Sequence, residues 1–369
     1  MPSLRRTGIL AALLAAPPAL AYRFAVVYRE RAGQPRRRAG ALTPADRGMP
    51  YEETLVHSPA GVLPAWFIPA RDGAPGPGVV LVHGWESNRD RTLPNAQVLH
   101  AAGFHVLTFD VRGHGDNPPE TLPISVAEFR DDAAAALDAL LARPEVTSGA
   151  FLGHSLGAVG AILAAADAGQ RCAALVSTSA PADPRRLTRQ TFRLARLPIP
   201  EPFATPLAEL TTRVYLHPRG HAMGSLSASR AVARYAGPLL LIHGALDSVV
   251  PPAHQVRLEA AARRGAARRV AAGQRPGGPI EAALISEGHH SWLYEHEDYR
   301  RLVARFLTVA MHGPLEPRYA ADLAGAATDA LRIPDPDESF AAVANRPGGP
   351  RTMAELLGAA QPAAIGDEG

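Results

Sequence analysis

The chain contains no lysine. All 38 of its basic residues are arginine, which reads as a coding bias towards Ala, Arg, Gly and Pro rather than as a functional feature. A single cysteine, Cys172, excludes a disulfide framework and any zinc or iron–sulfur site built on several cysteines. Aromatic residues are scarce at 6%, and the arginines are scattered and seldom interleaved with them, so a nucleic-acid-binding surface is not expected. Glycine (33) and proline (35) are plentiful among the 369 residues. Together they stay below the level of about a quarter that marks a low-complexity chain, and there is no Gly-X-Y period. Collagen, coiled coil and a wholly disordered chain are excluded. With 47% hydrophobic residues, the length suits one large domain with attachments or two modest domains.

Residues 9–21 are apolar behind Arg5 and Arg6, and Ala19-Leu20-Ala21 has the small-x-small form of a signal cleavage site. A second apolar run, Phe24 to Tyr28, follows Arg23, and Arg29, Arg31, Arg36, Arg37 and Arg38 come behind it. An uncleaved anchor, a cleaved export signal and an irregular soluble N-terminus are all open readings. The arginine count favours keeping the following domain on the cytoplasmic side. The expectation carried forward is a membrane-associated protein, attached by a single transmembrane helix within residues 8–28 and a basic linker ending near residue 45. A chain beginning near Pro44 is then expected to be soluble and active. At the other end, residues 313–369 are rich in Ala, Pro and Gly. They are expected to form a poorly ordered tail with short helices around Asp322–Leu331 and Thr352–Ala360, because they hold too little large apolar surface for a core.

From Tyr51 onward, short apolar runs alternate with helical patterns. Leu55–Val56 and Val62–Ile68 suit an opening antiparallel pair. Gly78–Val82 is a continuous apolar run bounded by glycine, as befits a strand buried on both faces. Further strands are expected at Phe104–Phe109, Gly149–Leu152, Ala173–Val176, Leu239–Ile242 and Ala282–Ile285. Helices are expected at Leu93–Ala102, Val126–Ala142, Leu156–Ala166, Ala253–Arg264 and Asp298–Val309. Such alternation implies an α/β fold, a mostly parallel sheet with helices on both faces, whose ligands sit at the carboxyl ends of the strands.

Chemistry-bearing residues stand at those ends. Gly153-His154-Ser155-Leu156-Gly157 is a G-x-S-x-G between a strand and a helix, the context in which a serine on a strained turn exposes its hydroxyl. Ser155 is the candidate nucleophile. The Leu156 N–H, at the helix start, and the Trp85 N–H, after the strand that ends in His83-Gly84, are the candidate oxyanion donors. Trp85 and His154 are candidate substrate-binding residues, and His83 is expected to brace its loop. Asp110, Arg112 and His114 are expected to form a structural hydrogen-bonded corner. Asp247, just past a strand end, suits the acid that orients a histidine. Asp183 suits a helix cap better. The base lies in the doublet His289-His290, and either ring could face the serine. The doublet lacks a third ligand at suitable spacing, so no metal is expected, nor any other cofactor.

These residues resemble the α/β-hydrolase fold family. The motifs HGW at 83–85, DVRGHGD at 110–116, GHSLG at 153–157, HGALDSVVP at 243–251 and GHHSW at 288–292 match its signposts in order. The resemblance covers about Tyr51 to His312 and is greatest to the bacterial serine-hydrolase branch with aminopeptidase-, lysophospholipase- and esterase-like members. It implies a serine hydrolase of esters, thioesters or amides with the triad Ser155, Asp247 and His290. Acyl transfer and a catalytically silent binding protein are the alternatives. The family pattern places glycine where His289 stands, so the resemblance favours His290 as the base. It also implies a helical lid at about 182–236, within a hydrolase domain spanning residues 46–312. Leu187, Leu194, Leu197, Ile199 and Phe203 are expected to cover an apolar acyl site. Arg185, Arg189, Arg193 and Arg196 recur at helical spacing as one basic face. The implied partner is a small acyl molecule, lipid-like in character.

Overall fold

The computed structural model describes residues 2–327, with side chains from residue 17 onward. Its strands are β1 (Glu52–Ser58), β2 (Gly61–Ile68), β3 (Gly76–Val82), β4 (His105–Phe109), β5 (Val146–His154), β6 (Cys172–Thr178), β7 (Leu239–Gly244) and β8 (Ile280–Ile285). They form one sheet in the order β1-β2-β4-β3-β5-β6-β7-β8. The β1–β2 hairpin is antiparallel and joins β4 antiparallel, and every pairing from β4 through β3 to β8 is parallel.

Ten helices accompany the sheet among the described residues. They are α1 (Pro2–Ala32), α2 (Leu93–Ala101), α3 (Val126–Leu141), α4 (Leu156–Ala168), α5 (Pro184–Leu194), α6 (Glu201–Leu216), α7 (Ala228–Arg234), α8 (Ala253–Ala271), α9 (Glu297–Met311) and α10 (Pro317–Ala326). The two-residue period of the strands divides the core. Val80, Val82, Phe151, Leu175 and Leu241 face the layer of α3, α4, α7 and α8. Val79, Leu81, Leu152, Val176 and Ile242 face α2, α9 and α10. This is the expected α/β-hydrolase architecture, and the strand and helix ranges depart from expectation mainly at their ends.

Three expectations are corrected. No helix among the described residues is long and apolar enough to cross a membrane, so the transmembrane helix read into residues 8–28 is not supported. Pro17 and Pro18 interrupt that stretch, and Arg23 follows within α1. Nor does the expected anchor stand apart from the domain, since Ala25 is fully buried and Phe24 and Tyr28 stack on Phe192 of α5. Finally, residues 317–326 form α10 on the face of α9 rather than the start of a loose tail. Ala320 and Ala324 are small enough to let the helices approach, and Arg300 of α9 donates to the carbonyls of Ala324 and Gly325, which the helix end would otherwise leave unpaired. The helix expected at Thr352–Ala360 lies outside the described residues.

The segment between β6 and β7 carries α5, α6 and α7. Asp183 caps α5 through its carboxylate and the Arg186 N–H at 3.0 Å. The lid packs differently from the sequence reading: Phe203 is 65% exposed, whereas Phe192 is 3% exposed. The basic face of α5 is met by acids of α6. Arg189 and Arg193 both bridge to Glu201, and Arg185 lies 3.5 Å from Glu209.

Candidate active site

Ser155 occupies the turn between β5 and α4 with φ +52° and ψ −120°, backbone that an L-residue adopts at a cost of about 1–3 kcal/mol. The surroundings hold it there. Its N–H donates to the Thr178 carbonyl at 2.9 Å, and its own carbonyl accepts from Val159 at the start of α4. Glycine is required at 157, where a Cβ would lie 2.2 Å from the His83 carbonyl oxygen. The loop after β3 also passes close to the serine. A Cβ on Gly84, the residue before Trp85, would stand 3.3 Å from the Ser155 Cβ. Trp85 is half-buried, its indole edge-on to His114 with centroids 5.3 Å apart.

His290 meets the serine. Its Nε2 is 3.0 Å from Ser155 Oγ, and its Nδ1 is 2.7 Å from Asp247 Oδ2. His289 is exposed and His290 is buried, so of the doublet it is the second ring that faces Ser155 and Asp247. The parallel β7–β8 ladder explains the meeting of residues 43 positions apart. It aligns Gly244 with Ile285, and beyond it Leu246 N–H donates to the Gly288 carbonyl at 2.9 Å, locking the acid loop to the base loop.

Asp247 is buried and fully employed. Its Oδ1 accepts from Val249 N–H at 3.0 Å and Val250 N–H at 2.8 Å, while Oδ2 faces His290 and also His243 Nε2 at 3.2 Å. Burial alone would raise its pKa, but the two imidazoles and their hydrogen bonds hold it well below the usual carboxylate range. The carboxylate therefore accepts the His290 Nδ1–H, which leaves the Nε2 lone pair directed at the serine hydroxyl. The sequence reading passed over His243 as a partner of this acid. Its place in the HGALDSVVP run was visible, but nothing in the spacing shows that the ring folds back on Asp247.

His154, a candidate substrate contact, packs against His290 with ring centroids 5.0 Å apart. The Thr178 hydroxyl donates to the Gly153 carbonyl at 2.9 Å, so it accepts from His154 Nδ1–H at 3.2 Å. Burial, with His290 alongside, pushes the His154 pKa down to about 3, and the ring is neutral. His83 braces its loop as expected. Its Nδ1–H donates to the Gly84 carbonyl at 2.8 Å and its Nε2 accepts from Val111 N–H at 3.0 Å. Burial and the neighbouring His114 lower its pKa to about 3.

The 110–116 segment is a structural corner, held by partners that the sequence reading did not name. Arg89 donates to Asp110 through its backbone N–H and its guanidinium, both at 2.7 Å. Arg112 forms a buried pair with Asp132 of α3, at 3.0 Å from Nε and 2.5 Å from Nη2, and Ser58 of β1 donates to the same carboxylate. His114 Nδ1 lies 3.0 Å from the Arg112 carbonyl oxygen. Among the described residues, no group of three or more His, Cys, Asp or Glu could hold a metal ion.

Comparison with known proteins places this geometry in context. A family model described as serine aminopeptidase, S33, matches residues 73–217. An uncharacterized Mycobacterium tuberculosis protein, Rv2307c, is 31% identical over 229 residues, covering 61% of this chain and 70% of that protein. In structure, the chain is similar to the Pyrococcus furiosus esterase Pf2001 with a TM-score of 0.58 at 21% identity, over 76% of this chain and 98% of the esterase. It is similar to Est1E of Butyrivibrio proteoclasticus, determined with ferulic acid bound, with a TM-score of 0.55 at 17% identity, over 70% and 99% of the two chains. The Pyrococcus horikoshii acylaminoacyl peptidase matches with a TM-score of 0.52 at 16% identity, over 73% of this chain and 43% of that one.

Proposed function

The chain belongs to the serine aminopeptidase S33 family of α/β-hydrolases and is a hydrolase, and we propose that it cleaves an ester, thioester or amide bond through an acyl-enzyme on Ser155. The observation that carries this reading is the unbroken line Ser155 Oγ–His290 Nε2, His290 Nδ1–Asp247 Oδ2, at 3.0 and 2.7 Å, anchored on a strained serine. In the proposed reaction, His290 takes the serine proton as Oγ attacks the carbonyl carbon. Asp247 holds the ring in the required tautomer and stabilises the imidazolium. The N–H groups of Leu156 and Trp85 receive the developing oxyanion. His290 returns the proton to the leaving group, then takes one from the water that breaks the acyl-enzyme.

A small acyl substrate with an apolar acyl group fits the half-buried Trp85 and Leu156, which pack against the same core as Met223 and Tyr215 of the lid segment. The pairing of the α5 arginines with Glu201 and Glu209 leaves that face little affinity for an acidic substrate. Turnover of p-nitrophenyl esters of increasing chain length, beside aminoacyl anilides, tests the bond type. Added alcohol or amine tests acyl transfer through product partitioning. Attachment to a membrane surface, without a spanning helix, remains part of the proposal, through residues of the 8–28 stretch other than Phe24, Ala25 and Tyr28, which pack on the domain. It requires full-length protein to sediment with membranes, and recovery wholly in the soluble fraction contradicts it.

A further inference from the structure

The N-terminal segment touches two parts of the site that have no sequence neighbourhood in common. Its first contact is with the lid. Phe24 stacks edge-on against Phe192 of α5 with centroids 5.5 Å apart, and Tyr28 does so against the same ring at 5.9 Å. Tyr215 of α6 completes the group at 6.3 Å from Tyr28. The Thr191 hydroxyl donates to the Thr188 carbonyl at 2.7 Å, so the Tyr28 hydroxyl donates to Thr191 Oγ1 at 2.9 Å. Tyr215 donates to the carbonyls of Ala32 and Ile124, tying the end of α1 to the lid and to the loop before α3.

The chain then runs over the 110–124 loop. Gly33 carbonyl accepts from Ile124 N–H at 2.9 Å, and Arg37 donates to the Asn117 carbonyl at 2.8 Å. Its second contact is with the loop that follows β3. Arg36 N–H donates to Glu86 Oε1 at 3.3 Å, Asn88 Nδ2 donates to the Arg38 carbonyl at 3.1 Å, and Ala41 N–H donates to Asp90 Oδ2 at 2.8 Å. Glu86 immediately follows Trp85 and has φ +52°, backbone that persists where surrounding bonds enforce it.

We propose that Phe24–Ala41 is a positioning arm that couples the lid to the oxyanion loop, so that acyl-chain selectivity and the placing of the Trp85 N–H are set together. The inference rests on the triad reading above. It departs from the expectation that a chain beginning near Pro44 is soluble and active, since such a chain would lack the arm. An oxyanion donor acts by being fixed where charge develops, and a displacement of about 1 Å costs on the order of 100-fold in rate. Among the described residues, the hydrogen bonds that hold Ser155, His290 and Asp247 come from outside the arm, so the arm positions rather than catalyses.

The test is a double-mutant cycle on the full-length chain, Phe24→Ala at the lid contact and Asp90→Ala at the oxyanion-loop contact. Kinetics are read on p-nitrophenyl acetate and p-nitrophenyl octanoate. Phe24→Ala is expected to lower kcat/KM for octanoate about tenfold more than for acetate, because it loosens the lid. Asp90→Ala is expected to lower kcat about tenfold on both esters with KM little changed, and Asp90→Asn, which keeps an oxygen acceptor for Ala41, is expected to restore most of it. Distant, independent sites combine to within about twofold, so coupling through the arm predicts a double variant that departs from the product of the single losses by more than about threefold. A product within about twofold, with the octanoate-to-acetate ratio unchanged, overturns the arm. Should either alanine variant fail to fold, Tyr28→Phe, which removes the bond to Thr191, and Asn88→Asp, which removes the donor to the Arg38 carbonyl while keeping an oxygen for the Arg91 N–H, carry the same cycle. Fluorophosphonate labelling of the wild type separates the two failures. Absence of both label and turnover defeats the triad reading itself, whereas a labelled, active wild type with additive variants defeats the arm alone.

Discussion

Asp247→Asn isolates the role of the acid without changing its shape. Two backbone N–H groups, of Val249 and Val250, point at Oδ1 at 3.0 and 2.8 Å. An asparagine must turn its carbonyl oxygen to them, because presenting its NH2 instead would leave both buried donors facing a third, a penalty of about 1–3 kcal/mol for each. The amide NH2 then faces His290 Nδ1, where the carboxylate stood at 2.7 Å. Nδ1 must now accept, so the ring proton moves to Nε2, the atom 3.0 Å from Ser155 Oγ. That nitrogen can no longer take the serine proton. The wrong tautomer in a serine–histidine–aspartate site costs about 10⁴ in kcat, the handicap measured for the corresponding substitution in serine proteases of the chymotrypsin type. Retention of the Val249 and Val250 bonds should keep the loop folded and KM nearly unchanged, while the lost contact with His243 should lower the melting temperature by only a few degrees. The assay is kcat on p-nitrophenyl acetate beside a thermal melt. A variant that still melts cooperatively as a folded protein yet keeps more than a tenth of the wild-type kcat refutes the tautomer argument.

His290→Ala should be nearly as inactive as a nucleophile variant, whereas His289→Ala, altering an exposed ring, should lose at most about tenfold in kcat/KM; the reverse order would reassign the base. Burial holds His83 and His154 neutral with pKa values near 3, and His114 and His254 near 4, so between about pH 6.5 and 4 the unfolded chain binds protons at these rings before the folded one does. Stability is therefore expected to be full above about pH 6.5 and to fall as pH drops through that window; a melting temperature that stays flat from pH 7 to 5 contradicts it. Asp132→Ala strands the buried Arg112 charge and should cost about 3–5 kcal/mol, lowering Tm by roughly 5–9 °C for a domain of this size, while leaving activity per folded molecule near wild type.

The sequence was most legible where one residue type has one physical use. A glycine-bounded, wholly apolar run such as β3 has few roles besides a strand buried on both faces, and the G-x-S-x-G required the strand and helix that flank it. The ordered motifs, read as a family resemblance, then brought Ser155, Asp247 and His290 together across the sheet. Other features depend on partners remote in sequence. Phe192 and Phe203 sit eleven residues apart with equal apolarity, and only the arrival of Phe24 and Tyr28 makes one of them interior. An apolar N-terminal run suits lipid and protein surfaces alike, so its contacts with α5 and α6 left no local signature. A short helix was expected about five residues later than α10, at Asp322–Leu331, but its packing was missed because it comes from small alanines and from Arg300, a residue on another helix. Arg112 was placed in a corner, but its acid, Asp132, lies twenty residues away on α3.

The central claim is that Ser155 is the acylated nucleophile. The most direct test is intact-protein and peptide mass spectrometry after reaction with a fluorophosphonate, on the wild type and on Ser155→Ala. The account predicts one adduct per wild-type chain, located on Ser155, and none on the folded variant, whose ester turnover falls by about 10⁶. Adduct formation on another residue, or a folded Ser155→Ala protein that keeps more than a tenth of wild-type turnover, would contradict it.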